Sequence, residues 1–468
     1  MTELTTETTI AVQREKVFAE NPALELVAPC KIGEGIYRPS VQQKEQYVRE
    51  FKTESKKLTF FIPASGAGSR MFQFLYEFLE TPNDDNRAQA ERFINSIEDF
   101  AFFKYLPLSF RRSIIKDEVR IEDLVAYLLD KEGMNFSSLP KGLVPFHSAD
   151  PFVLNPFQEQ LLQGAKLEVE ETKFHFTIQS AYNDQIKKSI SFVEGMFGQN
   201  FDVSFSEQSK ETDSYAFLED QSILKDDKGN AVTRPAGHGA LLANLNTISE
   251  ELIFVKNIDN VQHFSKSEMS VEAWQMLGGI LLEFRKQAKK LFREPNAEGL
   301  KELNETYQVF SDTDLTDQLS SDEIRAILNR PLRVCGMVKN EGQPGGGPFW
   351  VKENGKISKQ IVEKAQISTT GEQFRLMVQS THFNPVIMAV CPLSMEDEKF
   401  DLNDFKDASK YFIVNKTQHG KKIKYMELPG LWNGSMAHWN TIFVELPSPV
   451  FSPVKTILDL LGNQHNTK

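Results

Sequence analysis

Leu58-Thr59-Phe60-Phe61-Ile62-Pro63-Ala64-Ser65-Gly66-Ala67-Gly68-Ser69-Arg70-Met71 reads as a strand, a glycine-rich turn and the start of a helix. Leu58 to Ile62 is a short aromatic and β-branched run closed by Pro63 and Gly66, the pattern of a buried strand. Beyond it Met71, Phe74, Leu75, Phe78 and Leu79 recur at helical spacing. A turn of this kind lets backbone N–H groups approach phosphate oxygens, and the helix N-terminus adds a favourable dipole. Gly66 and Gly68 leave room for that approach, and Arg70 brings a fixed charge with several donors. With Ala64, Ser65, Ala67 and Ser69 they form a candidate nucleotide-binding loop. The loop lacks the Gly-Lys-Ser/Thr ending of a P-loop and the third glycine of the dinucleotide fingerprint. A tight turn with a surface arginine is the other reading of the same residues.

Outward from this stretch, a helical pattern follows Pro82 and runs from about Asp85 to Asp130, with Pro107 as a break. It predicts a helical insertion over about 83–135. Strands are predicted at Phe174 to Ile178, Asp202 to Ser206, Leu252 to Val255, Val334 to Val338 and Gln360 to Ala365. Helical patterns such as Trp274 to Lys290 lie between several of them. Strands alternating with helices imply an α/β fold with a mixed, mostly parallel sheet flanked by helices. Ile442 to Leu461 reads as a strand, a proline-marked turn and a terminal helix. The expected organisation is a tail and helical segment over 1–57, with a polar tail to about Glu20. An α/β domain follows over 58–420, and a final segment over 421–468.

The 468 residues are 40% hydrophobic and 25% charged, ordinary for a globular enzyme. The net charge of -12 repels polyphosphate backbones, which argues against nucleic acid or an anionic membrane as the main partner. Cys30, Cys335 and Cys391 lie far apart and form no Cys-x-x-Cys, so neither structural zinc nor a disulfide framework is expected. Met1 to Val12 lacks a basic-then-apolar signal pattern, and the longest apolar runs are too short to span a membrane. The expectation is a cytoplasmic protein, with the oligomeric state left open.

The loop resembles the signature of sugar nucleotidyltransferases, Gly-x-Gly-[Ser/Thr]-Arg followed by an apolar residue. The resemblance continues in order along the chain. Pro140-Lys141-Gly142 resembles the Pro-Lys-Gly element whose lysine contacts phosphate, although here the helical insertion separates it from Arg70. Phe205-Ser206-Glu207-Gln208 resembles the Phe-x-Gln strand end that meets the base in uridylyl-transferring members. Pro235-Ala236-Gly237-His238-Gly239 resembles their Pro-x-Gly-His-Gly element, which packs against uracil and ribose. Asn257-Ile258-Asp259-Asn260 resembles their metal-binding Asp-Asn. Gly345-Gly346-Gly347, Ile361 to Ile367 with Glu363, and Phe383-Asn384 resemble sugar-binding elements of UDP-glucose pyrophosphorylases. Phe451-Ser452-Pro453-Val454-Lys455 resembles a late Phe-x-Pro-x-Lys of UDP-N-acetylhexosamine pyrophosphorylases, whose lysine reaches the phosphates. Gly430 to Gly434 and Asn440 to Glu445 resemble strings of a bacterial family of unknown function, DUF4301.

The resemblance implies a nucleotide-diphospho-sugar transferase fold, GT-A-like, and attack by a sugar-1-phosphate on the α-phosphorus of a nucleoside triphosphate, UTP by preference. Arg70, Lys141 and Lys455 would offset phosphate charge, and Asp259 would hold Mg²⁺, which suits one or two carboxylates plus phosphate oxygens. Gln208 and Gly237-His238-Gly239 would meet the nucleoside. Gly346, Glu363 and Asn384 would meet the sugar. Read without the family, Asn257 to Asn260 suits a strand-ending turn, His238 a loop residue and Lys455 a solvated charge. Glu363 is expected inside an apolar strand, where an unpaired carboxylate is costly and a sugar hydroxyl is a fitting partner. Trp432, Trp439 and His438 read as packing. A nucleotide-binding protein without turnover on the same fold is the alternative. A glycosyltransferase is disfavoured because no Asp-x-Asp stands beside Asn257 to Asn260.

Overall fold

The structure, a computed structural model, describes residues 6–19, 24–55, 57–116, 118–311, 313–316, 318–342, 345–368, 370–418 and 421–466. The chain divides into two compact units, each assembled from three stretches. Lys56–Glu207, Val255–Gln275 and Ser448–Lys468 form the unit that carries the glycine-rich loop. Met1–Ser55, Gln208–Phe254 and Met276–Pro447 form the larger unit. Among the described residues no helix is long and apolar enough to cross a membrane.

In the loop unit, Lys57–Pro63, Glu171–Thr177 and Asp202–Ser206 pair in parallel in that order. Their register sets Phe60 opposite Phe174, and the two rings stack 5.3 Å apart. The predicted helix after the loop begins as a 3₁₀ turn, Gly68–Phe72, and becomes α-helical over Gln73–Glu80. The segment predicted as a helical insertion contains the helices Asp84–Asn95, Leu108–Ile115 and Ile121–Leu129, with two 3₁₀ turns between the first and the second. Leu108–Ile115 starts directly after Pro107, whose fixed φ and missing N–H suit a helix entry and not its interior. Phe72, Phe93, Phe100, Phe102 and Phe136 make one continuous aromatic core here, with Phe72 and Phe136 stacked 5.2 Å apart. Val454, Ile457, Leu458 and Leu460 pack into the same core and so fix the late segment of the chain to this unit.

In the larger unit the strands run in the order Lys31–Ile32, Gly35–Tyr37, Asn440–Glu445, Leu332–Lys339, Ile387–Cys391. The pairings are parallel until the last, which is antiparallel. A mixed, mostly parallel α/β architecture therefore holds. Among the described residues three smaller antiparallel sheets accompany it: Glu25–Pro29, Gly347–Glu353 and Lys356–Val362; Phe217–Leu218, Lys421–Glu427 and Phe412–Gln418; and the two-stranded pair Ser214–Tyr215 and Thr233–Arg234.

Three local expectations need correction. The supposed polar tail is a helix, Thr6–Phe18 (residues 1–5 and 20 lie outside those described). Its Val17 is buried, Phe18 meets Phe217 edge-on, and Gln13 accepts from the Tyr215 N–H at 2.8 Å. Tertiary contacts and not amphipathic periodicity hold it, which is why its sequence looks like a tail. The terminal helix is only a 3₁₀ turn, Ile457–Leu461, capped by Asp459. The strand predicted at Gln360 to Ala365 ends at Val362, so Glu363 stands just outside it at the entry to a 3₁₀ turn.

Replacing Phe102 by Ala removes a fully buried ring from the aromatic core. Denaturant unfolding should show a loss of about 3–5 kcal/mol with the fold retained.

Candidate functional site

In the loop unit the glycine-rich turn is fastened at both ends of its arc. Ala64 N–H donates to the Thr177 carbonyl at 2.9 Å, and Gln179 donates to the Ser65 carbonyl at 2.6 Å. Gly68 N–H donates to Leu139 O at 2.9 Å, and Lys141 N–H donates to Gly66 O at 3.0 Å. This reciprocal pairing brings Lys141 against the loop despite the long helical segment between them. A Cβ on Gly68 would stand 2.9 Å from the Leu139 carbonyl, so the close approach requires glycine. Arg70 is exposed in the 3₁₀ turn and, among the described residues, its side chain has no hydrogen bond or ion pair.

Lys141 also reaches across to Asp259, with Nζ 2.7 Å from Oδ2 and both side chains half-buried. The Asp259 loop is held from two directions. Gln160 donates to the Asn257 and Ile258 carbonyls, each at 3.2 Å. On the other side Val454 N–H donates to Asp259 O at 3.1 Å, and Ser452 N–H donates to Asn260 Oδ1 at 2.9 Å. Lys455 follows at once, its ammonium pushed down by burial and by Lys141 and pulled back up by Asp259 and Asp459. Arg70, Lys141, Asp259 and Lys455 thus come from four distant stretches of sequence and share one unit. Among the described residues no group of three His, Cys, Asp or Glu could hold a metal ion. Asp259 fits only a hard cation that takes its remaining ligands from phosphate and water, as Mg²⁺ does.

The larger unit carries a second cluster. His238 lies flat against Trp432, ring centroids 3.9 Å apart and planes 12° off parallel. Leu431 N–H donates to His238 Nδ1 at 2.9 Å, which places the ring proton on Nε2. Glu363 Oε1 lies 3.8 Å from that nitrogen, and desolvation with the neighbouring Glu427 carboxylate raises the Glu363 carboxyl above its usual range. Gly237 has φ +71°, and a Cβ there would meet Glu427 Oε2 at 2.6 Å. Gly239 is buried, and Gln208 is half-buried after the strand Asp202–Ser206. Gly346 packs on Ile361. Asn384 commits its amide internally, donating to Gly336 O and accepting from Val386 N–H.

Sequence reading missed Trp432 as a partner of His238, because an aromatic beside buried residues looks like packing. It also missed Gln160, since a glutamine on a helix carries no motif. The buried run Glu159, Gln160 and Gln163 in the helix Pro156–Ala165 was the available signal.

The family model for a domain of unknown function, DUF4301, matches residues 2–466. The chain belongs to the DUF4301 family. No curated protein matches this DUF4301 chain in sequence. Solved structures that align with it include UDP-N-acetylglucosamine pyrophosphorylase from Trypanosoma brucei. There the identity is 12% and the TM-score 0.49, over 93% of this chain and 72% of the other. A mutant UDP-glucose pyrophosphorylase from Leishmania major aligns at 12% identity and TM-score 0.43, over 94% of this chain and 70% of the other.

Burial pushes the His238 ring from 6.5 down to about 4. The unfolded chain therefore takes up this proton at higher pH than the folded one, and His238 makes stability fall as pH drops through that window. In NMR titration the His238 midpoint should lie near 4, and Trp432→Ala should move it back toward 6.5.

Proposed function

We propose that this protein is a metal-dependent nucleotidyltransferase that condenses UTP with a sugar-1-phosphate to give a UDP-sugar and pyrophosphate. One observation carries the reading: the glycine-rich loop, Lys141 and Asp259 are joined by direct contacts in one unit, and Lys455, next to the Val454 that binds the Asp259 carbonyl, feels the charges of both Asp259 and Lys141, although all lie far apart in sequence. They are the residues that the order of motifs assigns to triphosphate, metal and pyrophosphate.

A sugar-phosphate oxygen attacks the α-phosphorus, the α–β phosphoanhydride bond breaks, and pyrophosphate leaves with the electron pair. Several negative charges must be brought together, so positioning and electrostatic neutralisation supply the rate. No protein base is required. Backbone N–H groups of Ser65, Gly66, Ala67 and Ser69 would face the triphosphate, with Ala64 and Gly68 holding the loop in place through their bonds to Thr177 O and Leu139 O, while Arg70, Lys141 and Lys455 offset its charge. Mg²⁺ on Asp259 would reduce the repulsion between the two phosphates. Lys141 would then exchange its carboxylate partner for phosphate oxygen. In the larger unit Gln208, Gly237, His238 and Gly239 would recognise uridine, and Trp432 would extend the flat surface of His238. Gly346 and Glu363 would face the sugar, with Asn384 shaping the backbone beside them. Such substrates would suit a cytoplasmic enzyme.

A second reading, a nucleotide- or nucleotide-sugar-binding protein without turnover, is favoured by one observation. Lys141 already neutralises the carboxylate that would hold the metal.

Pyrophosphate release from four nucleoside triphosphates, each with Mg²⁺ and mixed sugar-1-phosphates, separates the two. Release that needs both UTP and a sugar phosphate supports the enzyme, whereas UTP binding without release supports the second reading. Asp259→Ala should lower turnover by about 10³-fold or more while the protein stays folded. Arg70→Ala should lower kcat by about 10²–10³-fold, in the range for losing one charge-stabilising donor. Unchanged kinetics in either variant would remove that residue from the mechanism.

A further inference from the structure

Behind the Asp259 loop, the loop unit buries a row of titratable side chains that the proposed chemistry does not use. His147 Nδ1 lies 2.6 Å from Glu159 Oε1, and His147 Nε2 lies 2.9 Å from His465 Nδ1. His147, Glu159 and His465 are 1%, 0% and 6% exposed. The His465 ring also bonds the Ser452 backbone carbonyl. Ser452 is the residue whose N–H is held by Asn260, three positions before Lys455.

The direction of this chain of hydrogen bonds follows from its last member. A carbonyl only accepts, so His465 gives its N–H to Ser452 and, as a neutral ring, must accept at Nδ1. His147 then donates from Nε2 and must accept at Nδ1. Only a protonated Glu159 can supply that hydrogen. The alternative, a carboxylate with one imidazolium, would bury two charges that a neutral chain avoids.

We propose that Glu159-H, His147 and His465 form a neutral, one-directional relay ending on Ser452 O, and that His465 is thereby a positioning residue for Lys455. The catalytic part of this inference rests on the nucleotidyltransferase reading; the protonation and anchoring parts do not.

The surroundings agree. Burial raises the Glu159 carboxyl to about 8, against the opposing pull of His263, Lys166 and Lys256 and a Phe264 N–H. Burial lowers both His147 and His465 to about 3, with Asp459 acting the other way on His465. His263, whose ring centroid is 5.5 Å from that of His147, is itself committed to the Ser148 carbonyl and to Ser265. Further contacts tie down the same stretch: Gln262 donates to Val450 O at 3.1 Å, and His263 N–H donates to Gln464 O at 2.9 Å.

The test uses the full chain with His465→Ala, Glu159→Ala and Glu159→Gln. Glutamine still donates toward His147, so Glu159→Gln should behave like the parent, while both alanine variants should break the relay. In the alanine variants amide exchange over 448–461 should accelerate at least about tenfold as local opening becomes cheaper. The infrared band of a protonated carboxyl should be present at pH 7 in the parent and lost in Glu159→Gln. If pyrophosphate is released, His465→Ala should cut kcat by about 10- to 100-fold, as misplacement of a distant support does. That loss should largely vanish in a Lys455→Ala background. Parent-like exchange in His465→Ala, or Glu159→Gln as damaging as Glu159→Ala, would overturn the proposal. A silent pyrophosphate assay would overturn the enzyme reading and leave the exchange and infrared results to decide the relay.

Discussion

The Lys141–Asp259 ion pair is where the organisation of the loop unit converges. Each partner is delivered by a different device: Lys141 by reciprocal backbone pairing with the glycine-rich loop, Asp259 by a carbonyl-binding glutamine and by the late segment. At 2.7 Å and half-buried, the pair is screened less than a surface contact, yet it remains open enough to be exchanged. An anionic ligand with its own cation can replace both halves of the pair without leaving either charge bare. In the proposed reaction the pair is a resting arrangement for charges that would meet phosphate, more than a source of stability.

Rigidity around that pair comes from burying polar groups in full. The helix Pro156–Ala165 is capped by Asn155 and Gln158 and turns Glu159, Gln160 and Gln163 inward, where each is directed at backbone or at another buried side chain. Such groups would be costly if unpaired, so each hydrogen bond specifies one arrangement of the Asp259 loop. The aromatic core of the helical segment complements this from the other side of the same unit. By packing Val454, Ile457, Leu458 and Leu460 it holds Lys455 beside residues almost two hundred positions earlier.

The larger unit follows a different logic. His238 is fixed by a backbone donor, an aromatic partner and a glycine-lined approach, not by a charge. Its ring is kept neutral and flat, which suits stacking on a planar group and does not suit proton transfer. Trp432 is itself held through its carbonyl by Arg333 Nη1 at 2.8 Å, so a buried cation of the sheet supports the exposed edge of the cluster.

The sequence by itself determined what depends on local chemistry. The strand from Leu58, the glycine-rich turn and the strand Asp202–Ser206 were all legible, because side-chain pattern, helical spacing and backbone freedom act over a few residues. Tertiary structure alone decided the rest. Thr6–Phe18 is helical because the larger unit packs against it, and Glu363 leaves its strand because a 3₁₀ turn begins there. Lys141 meets Asp259, Trp432 meets His238 and Glu159 reaches His465 through His147 only once distant segments are brought together. A contact between residues 118 or 318 positions apart leaves no trace in the spacing of either partner, since its energy depends on burial and geometry that only the folded chain supplies.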